Sequence, residues 1–264
     1  MRTFIFGANG MIGSYLMKYL DNCVPITRKR VDAVTIRQDL FDYQLKRLDM
    51  REGDVVINAM GITNKRTVDG WEFMVVNSLF PRLMADYCEK LGVNMIHIST
   101  DCVYSGHDGN YSEDDEHDDQ NIYGISKSRG EPINCTVIRA SIIGENKNNS
   151  LDLLEWVRKT SNGTLHGLTD KLWNGITCLR FAKICSDIIN ENLFWKGVVH
   201  VYSPEVISKA DLLEMINEIY ELNNQIIRVE SERYCNRSLT SSRNIFFNIP
   251  SIKAEIEEQK NFDL

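Results

Sequence analysis

The segment Phe4-Ile5-Phe6-Gly7-Ala8-Asn9-Gly10-Met11-Ile12-Gly13-Ser14 constrains this chain most, because a short apolar strand runs directly into three glycines spaced three apart. A turn of this kind leaves backbone N–H groups at the start of a helix, where the dipole adds roughly half a unit of positive charge. The glycines serve a tight reversal, close approach of a phosphate, and close packing of helix on strand. Gly7, Asn9, Gly10, Met11, Ile12 and Gly13 therefore read as a dinucleotide cradle, although an ordinary β-to-α turn carries the same pattern.

The rest of the chain decides between the two. Short apolar or β-branched runs at residues 2–6, 23–27, 54–59, 93–99, 135–139 and 198–202 alternate with helical spacing at 11–21, 72–91 and 121–131. In the middle helix the apolar residues are Phe73, Val76, Leu79, Leu83 and Tyr87. Such alternation predicts an α/β protein with a Rossmann-type, doubly wound parallel sheet. After about residue 140 the pattern shifts to helices near 150–160, 180–192 and 208–222 separated by polar loops. We expect residues 1–140 to form the dinucleotide-binding domain, with later segments returning to it, and 141–264 to form mainly a smaller substrate-binding lobe. No Pro- or Gly-rich linker separates them, so the parts should interleave around one cleft. The polar last dozen residues are expected to fray, with Ile252 and Ile256 able to share one helix face.

The net charge of −7 disfavours nucleic acid as a partner, since phosphate neutralisation needs a basic stripe. An anionic ligand would need a local positive pocket, for which Arg28-Lys29-Arg30 and Arg233, Arg237 and Arg243 are the candidates. No apolar stretch approaches the roughly 18 residues of a membrane span, and the N-terminus is a glycine-broken strand rather than a signal peptide, so a cytoplasmic location is expected. Seven scattered cysteines without a C-x-x-C pair argue against a disulfide framework and a zinc site, and no metal is expected. The acidic run from Glu113 to Asp119 reads as a solvated loop, with a histidine-plus-carboxylate metal site as the alternative.

Three segments carry chemistry. Ile98-Ser99-Thr100-Asp101 and Asn58-Ala59 end predicted strands, where open α/β sheets bind ligands, and Tyr123-Gly124-Ile125-Ser126-Lys127 lies in a predicted helix. A spacing of four puts Tyr123 and Lys127 on one helix face, where the ammonium should draw the phenol below its ordinary pKa and make Tyr123 a general acid or base. The Thr100 hydroxyl can bond the same oxygen that Tyr123 protonates. Each piece alone also fits an ordinary cap or turn; their order behind the glycine turn favours the chemical reading.

With these blocks the sequence resembles the extended short-chain dehydrogenase/reductase family, and within it the nucleotide-sugar 4-ketoreductases of the dTDP-4-dehydrorhamnose reductase type. Supporting blocks are Asp54-Val55-Val56-Ile57-Asn58-Ala59, Val76-Asn77-Ser78-Leu79-Phe80-Pro81-Arg82, Ser99 to Gly106, Asn121 to Glu131, Asn174-Gly175-Ile176-Thr177 and Arg237-Ser238-Leu239-Thr240-Ser241. The resemblance implies a triad of Thr100, Tyr123 and Lys127 that reduces a sugar C4 carbonyl, with Lys127 also holding the nicotinamide ribose. It implies Asn58, Ala59 and Met60 along the cofactor, Asp39 and Leu40 near the adenine, and Thr63, Asp101, Trp173 and Asn174 near the sugar. For Trp173 a plain core position fits equally. Arg237 is read as a diphosphate clamp or a surface ion pair. Arg28 and Lys29 stand where an NAD-specific protein would place an acid, which favours NADPH over NADH, unless they are merely solvated.

The partner expected is a nucleotide-diphosphate sugar, with a homodimer open and neither nucleic acid nor membrane. Ala140-Ser141-Ile142 lacks the aromatic residue often found beside the sugar in rhamnose-forming enzymes, leaving uridine or thymidine nucleotide and sugar stereochemistry undetermined. Two other readings stay open: an NAD-retaining epimerase or dehydratase, against which Asp101-Cys102 replaces the usual Asp-Glu pair, and a non-catalytic cofactor-binding regulatory subunit, against which Tyr123 and Lys127 are both retained.

Overall fold

The computed structural model describes residues 1–63, 69–146, 152–244 and 247–264. Its first part runs β1 (Thr3–Phe6), α1 (Met11–Tyr19), β2 (Cys23–Ile26), α2 (Phe41–Lys46), β3 (Val55–Asn58), α3 (Gly70–Met74), α4 (Phe80–Leu91), β4 (Asn94–Ser99), α5 (Ile122–Arg129) and β5 (Thr136–Arg139). It continues with β6 (Ile142–Ile143), α6 (Leu153–Lys159), β7 (Thr164–Leu168), β8 (Lys171–Trp173), β9 (Ile176–Thr177), α7 (Cys178–Asn190), β10 (Gly197–His200), β11 (Ile207–Ser208), α8 (Lys209–Ile219), β12 (Gln225–Val229), β13 (Cys235–Asn236) and α9 (Ile252–Lys260).

The six strands expected from apolar runs pair in parallel in the order β10-β5-β4-β3-β1-β2. Chain direction across the sheet reverses between β1 and β3, so the turn after β1 and the residues after β3 flank the switch point where such sheets bind ligands. Period-two alternation covers both faces. Phe4, Phe6, Val56, Met95 and Val137 pack with Phe41, Phe80 and Met84, while Ile5, Ile57, Ile96, Ile98 and Ile138 pack with Leu16 of α1 and Phe181, Ile184 and Ile188 of α7. Each such side chain contributes about 1.5–3 kcal/mol on burial. β10 and α7 lie beyond residue 140, and they join the six-stranded sheet and the helix layer that packs on it.

The long middle helix is interrupted by a π-helical turn, Val75–Leu79, between α3 and α4. Pro81 lacks the N–H that would bond the Asn77 carbonyl, and the ladder widens there. That carbonyl is packed so tightly against Gly130 that a side chain at 130 would collide with it.

A separate core forms around Trp173, Ile207, Leu213, Ile216, Leu154 and Val157. The tail joins it instead of fraying. Ile252 and Ile256 are each 1% exposed, the Ser251 hydroxyl caps α9 by accepting from Ala254 N, and Glu255 accepts from Thr177 N at 2.8 Å. Polar composition misled here because α9 buries polar as well as apolar side chains.

The acidic run is likewise tied down. Glu113 accepts from the His200 N–H and the Ser241 hydroxyl, each at 2.7 Å; Asp118 accepts from Ser105 N at 2.7 Å; and Asp119 from Arg237 Nη2 at 2.6 Å. Residues 105–119 thus clasp the segment after β13.

Candidate active site

The glycine turn is built by the absence of side chains. Gly7 has φ +80°, and a Cβ there would stand 2.9 Å from the Ala59 carbonyl oxygen, the first residue past β3. A Cβ at Gly13 would collide with the Gly7 carbonyl, whereas one at Gly10 would meet only that oxygen, at 3.2 Å. Asn9 and Gly10 are exposed, Met11 and Ile12 partly so, and no acidic side chain stands in the first turn of α1. The turn therefore offers open amides without competing negative charge, and it fits a pyrophosphate.

Thr100 follows β4 and caps the short 3-10 turn Asp101–Val103: its hydroxyl accepts from Cys102 N at 3.2 Å and donates to Asp101 Oδ1 at 3.1 Å. Asn121 caps α5 by accepting from Gly124 N at 3.0 Å. Gly124 presses directly on the Cys102 carbonyl, a closeness no Cβ would permit, and this sets Tyr123 alongside the Thr100 turn. One turn later the Lys127 ammonium donates to the Ile98 carbonyl at 2.5 Å.

Burial decides the electrostatics. It pushes the Tyr123 phenol up, with the neighbouring Cys102 thiol adding to the rise and the Thr100 hydrogen bond opposing it. The expectation that Lys127 draws the phenol down is corrected, since its Nζ turns to the strand carbonyl. Burial pulls Lys127 down to about 8 against the upward pull of Glu131. Asp101 is also raised by burial, opposed by Arg237 and by hydrogen bonds from Thr100, Ser141 and Cys102.

Sequence reasoning missed a buried charge cluster beside this site. Arg139, 1% exposed at the end of β5, donates from Nε to Glu131 Oε1 at 3.0 Å and from Nη2 to Oε2 at 2.7 Å. Its remaining N–H groups reach the Tyr104 hydroxyl and His200 Nε2, each at 2.6 Å, and His117 Nε2 at 2.8 Å. The Ser99 hydroxyl donates to Glu131 Oε1. The signal was an arginine ending an apolar strand and a glutamate four residues after Lys127. Asn77 was missed too: its amide holds both backbone groups of Ile62 at 2.9 Å and the Ser126 hydroxyl at 3.0 Å, bracing the loop after β3 against α5.

The other expected residues divide. Asn58 is buried, donates towards His97 Nδ1 at 3.1 Å and accepts from Met60 N at 3.2 Å; Ala59 and Met60 are half-buried beside the glycine turn. Arg28 is exposed and paired with Asp32 at 3.0 Å, Lys29 is exposed, Asp39 pairs with Arg37 at 2.7 Å, and Leu40 is 40% exposed. Thr63 is exposed on the loop held by Asn77. Trp173 is buried in the C-terminal core, and Asn174 is engaged by both backbone groups of Leu239 at 2.8 and 2.9 Å. Arg237 reaches inward: Nε donates to the Tyr104 carbonyl at 2.7 Å and Nη1 stands 3.8 Å from Cys102 Sγ, beside the Thr100 turn. Among the described residues, no helix is long and apolar enough to cross a membrane.

A parallel sheet with a glycine turn at its switch point, and a threonine, tyrosine and lysine gathered at the end of β4 and on α5, define an oxidoreductase of the extended short-chain dehydrogenase/reductase class. The family model described as RmlD substrate binding domain matches residues 1–258, and the chain belongs to that family. It is 27% identical over 252 residues to a probable low-salt glycan biosynthesis reductase, Agl14, of Haloferax volcanii, covering 83% of this chain and 80% of that one. It is 33% identical over 140 residues to a dTDP-4-dehydrorhamnose reductase of Mycobacterium tuberculosis, a match covering 49% of this chain and only 44% of that enzyme. The solved dTDP-4-dehydrorhamnose reductase of Bacillus anthracis, in complex with NADP, shares the fold with a TM-score of 0.79, 20% identity and 98% coverage of both chains.

Proposed function

We propose that this protein uses NADPH to reduce the C4 keto group of a dTDP- or UDP-linked 4-keto-6-deoxy sugar, giving a deoxysugar nucleotide of the L-rhamnose kind. The observation that carries this reading is the placement of α5 against the Thr100 turn, with Gly124 on the Cys102 carbonyl, which sets Tyr123 beside Thr100 with Lys127 one turn on. A bound nicotinamide supplies the hydride. Tyr123, kept protonated by its burial, holds the proton that the carbonyl oxygen must receive, and Thr100 orients that oxygen. Lys127 holds ribose hydroxyls, the glycine turn holds the pyrophosphate, and exposed Arg28 and Lys29 suit a 2′-phosphate.

The test incubates the protein with NADPH or NADH and a panel of dTDP- and UDP-linked 4-keto sugars, following cofactor absorbance and identifying products by NMR. Consumption of NADPH with formation of the C4 alcohol is expected; no turnover with any 4-keto sugar overturns the reading. Tyr123→Phe should lower kcat by about a hundredfold or more with cofactor still bound. Near-normal turnover would remove Tyr123 from its role.

A further inference from the structure

We infer that Arg237 is a positioning residue: its guanidinium, carried on the segment after β13, staples the turn that bears Thr100 to the N-terminus of the helix that bears Tyr123. This rests on the proposed roles of Thr100 and Tyr123. Backbone pairing brings the arginine there. β13 lies parallel to β8, the Arg237 N–H donates to the Leu172 carbonyl at 3.2 Å, and the Asn236 N–H donates to the Gly106 carbonyl at 2.7 Å. Gly106 has φ +85°, and a Cβ there would stand 3.0 Å from Arg237 Cγ and closer still to Cys235 Sγ, so the segment lies this near because residue 106 is glycine.

Each guanidinium nitrogen then has a protein partner. Nε donates to the Tyr104 carbonyl at 2.7 Å and Nη1 to Cys102 Sγ at 3.8 Å, at the end and the middle of the 3-10 turn that Thr100 caps. Nη2 donates to Asp119 Oδ2 at 2.6 Å, and the Asp119 side chain is only 6% exposed. The other oxygen of that carboxylate, Oδ1, accepts from the Asn121 N–H at 2.8 Å and from the Asn121 side-chain amide. Asn121 in turn accepts from Gly124 N at 3.0 Å as the N-cap of α5, and Tyr123 lies between the two. The Asp119 N–H closes the ring by donating to the Val103 carbonyl at 3.2 Å. Arginine suits this place because its planar fork carries donors in several fixed directions, whereas a lysine ammonium is a point charge. A diphosphate clamp would need the same N–H groups and would have to compete with a carboxylate already in place.

Positioning and clamping move different constants. Arg237→Lys keeps a charge for Asp119 and loses the fork, while Asp119→Asn keeps the shape and loses the charge. Both should lower kcat for the 4-keto sugar by about ten- to a hundredfold, with KM for the sugar nucleotide and for NADPH within about threefold of wild type. The double variant should fall no further than the slower single one, since both changes cut the same staple. Without turnover, amide hydrogen exchange followed by NMR should quicken about tenfold or more at the Cys102 N–H, held by Thr100, and at the Gly124 N–H, held by Asn121, while β1 amides keep their wild-type rates. If Arg237→Lys does not fold, Asp119→Asn decides. A rise in KM for the sugar nucleotide at unchanged kcat in Arg237→Lys, absent in Asp119→Asn, gives the guanidinium to the diphosphate and overturns the inference. So does lowered stability with kcat and both amide exchange rates unchanged. Wild-type protein that reduces no 4-keto sugar, with exchange quickened at both amides in the variants, overturns the proposed function and leaves the staple standing.

Discussion

The glycine turn after β1 and the charge cluster at the ends of β5 and β10 are built by opposite means. The turn works because residues 7, 10 and 13 lack side chains, and every atom that shapes it is backbone. The cluster works because Arg139, Glu131, Ser99, Tyr104 and His200 each supply a specific polar group to a space almost closed to water, with the more exposed His117 at its edge. A backbone-made site tolerates nothing larger than hydrogen where it is tightest. A site made of buried side chains tolerates no missing partner.

The largest break in this comparison is Arg139→Met. Removing the guanidinium leaves Glu131 without its fork and deprives Tyr104 and both histidines of a donor, and breaking a buried pair from one side costs about 3–5 kcal/mol. Denaturant unfolding checks it; a loss below about 1 kcal/mol would mean the cluster is held by its surroundings and not by its charges.

Acid attacks the same cluster through His200. Burial and the Arg139 charge pull its imidazole down to about 4, against the opposing pull of Glu113. Nε2 faces Arg139 and Nδ1 faces the Thr240 carbonyl at 2.7 Å, the pattern of a neutral ring protonated at Nδ1. An unfolded chain takes up that proton near pH 6.5, so between 6.5 and about 4 the unfolded state binds more protons and stability falls as pH falls. Below about 4 both states are protonated and this loss stops growing. Its size is on the order of 3 kcal/mol. Tm measured from pH 7 to 4 should therefore drop more in wild type than in His200→Gln, which keeps polar groups in the space but does not titrate there. Equal drops would place the acid sensitivity elsewhere.

The same contrast explains what could be read from the sequence. The turn spans seven consecutive residues and its glycines are spaced by the geometry they serve, so it is visible in the first line of the chain. The six strands of the main sheet were legible because apolar runs mark them. The proposed reaction residues stand out as blocks, since Thr100 sits at a strand end and Tyr123 and Lys127 share a helix face. Their electrostatics do not: the sequence places Lys127 near Tyr123, but only packing turns its ammonium to the Ile98 carbonyl and buries the phenol. The charge cluster draws on residues 99 to 200, and nothing local announces that an arginine ending β5 will meet a glutamate beyond α5 and histidines from a loop and a sixth strand. Arg237 and Asn174 are both engaged by protein partners that no motif displays.

The smallest effect separates two glycines within the turn. A Cβ at Gly13 lands on the Gly7 carbonyl and the Ala8 backbone, neither of which can swing aside, so Gly13→Ala must shift α1 against β1 and cost about 1–3 kcal/mol. Gly10 has φ −79° and ψ 170°, open to any residue, and its Cβ would meet one atom at 3.2 Å. Gly10→Ala should leave stability within about 1 kcal/mol of wild type, helped by a less flexible unfolded chain. It should still weaken NADPH binding, because the added methyl sits at the exposed mouth of the amide cradle. Thermal unfolding and NADPH titration of the two variants make the distinction: Gly13→Ala loses stability and binding together, Gly10→Ala loses binding alone. If both lower Tm alike, the turn is uniformly tight and the opening for a pyrophosphate at Gly10 is wrongly placed. If neither weakens NADPH binding, the amides of α1 do not hold the dinucleotide.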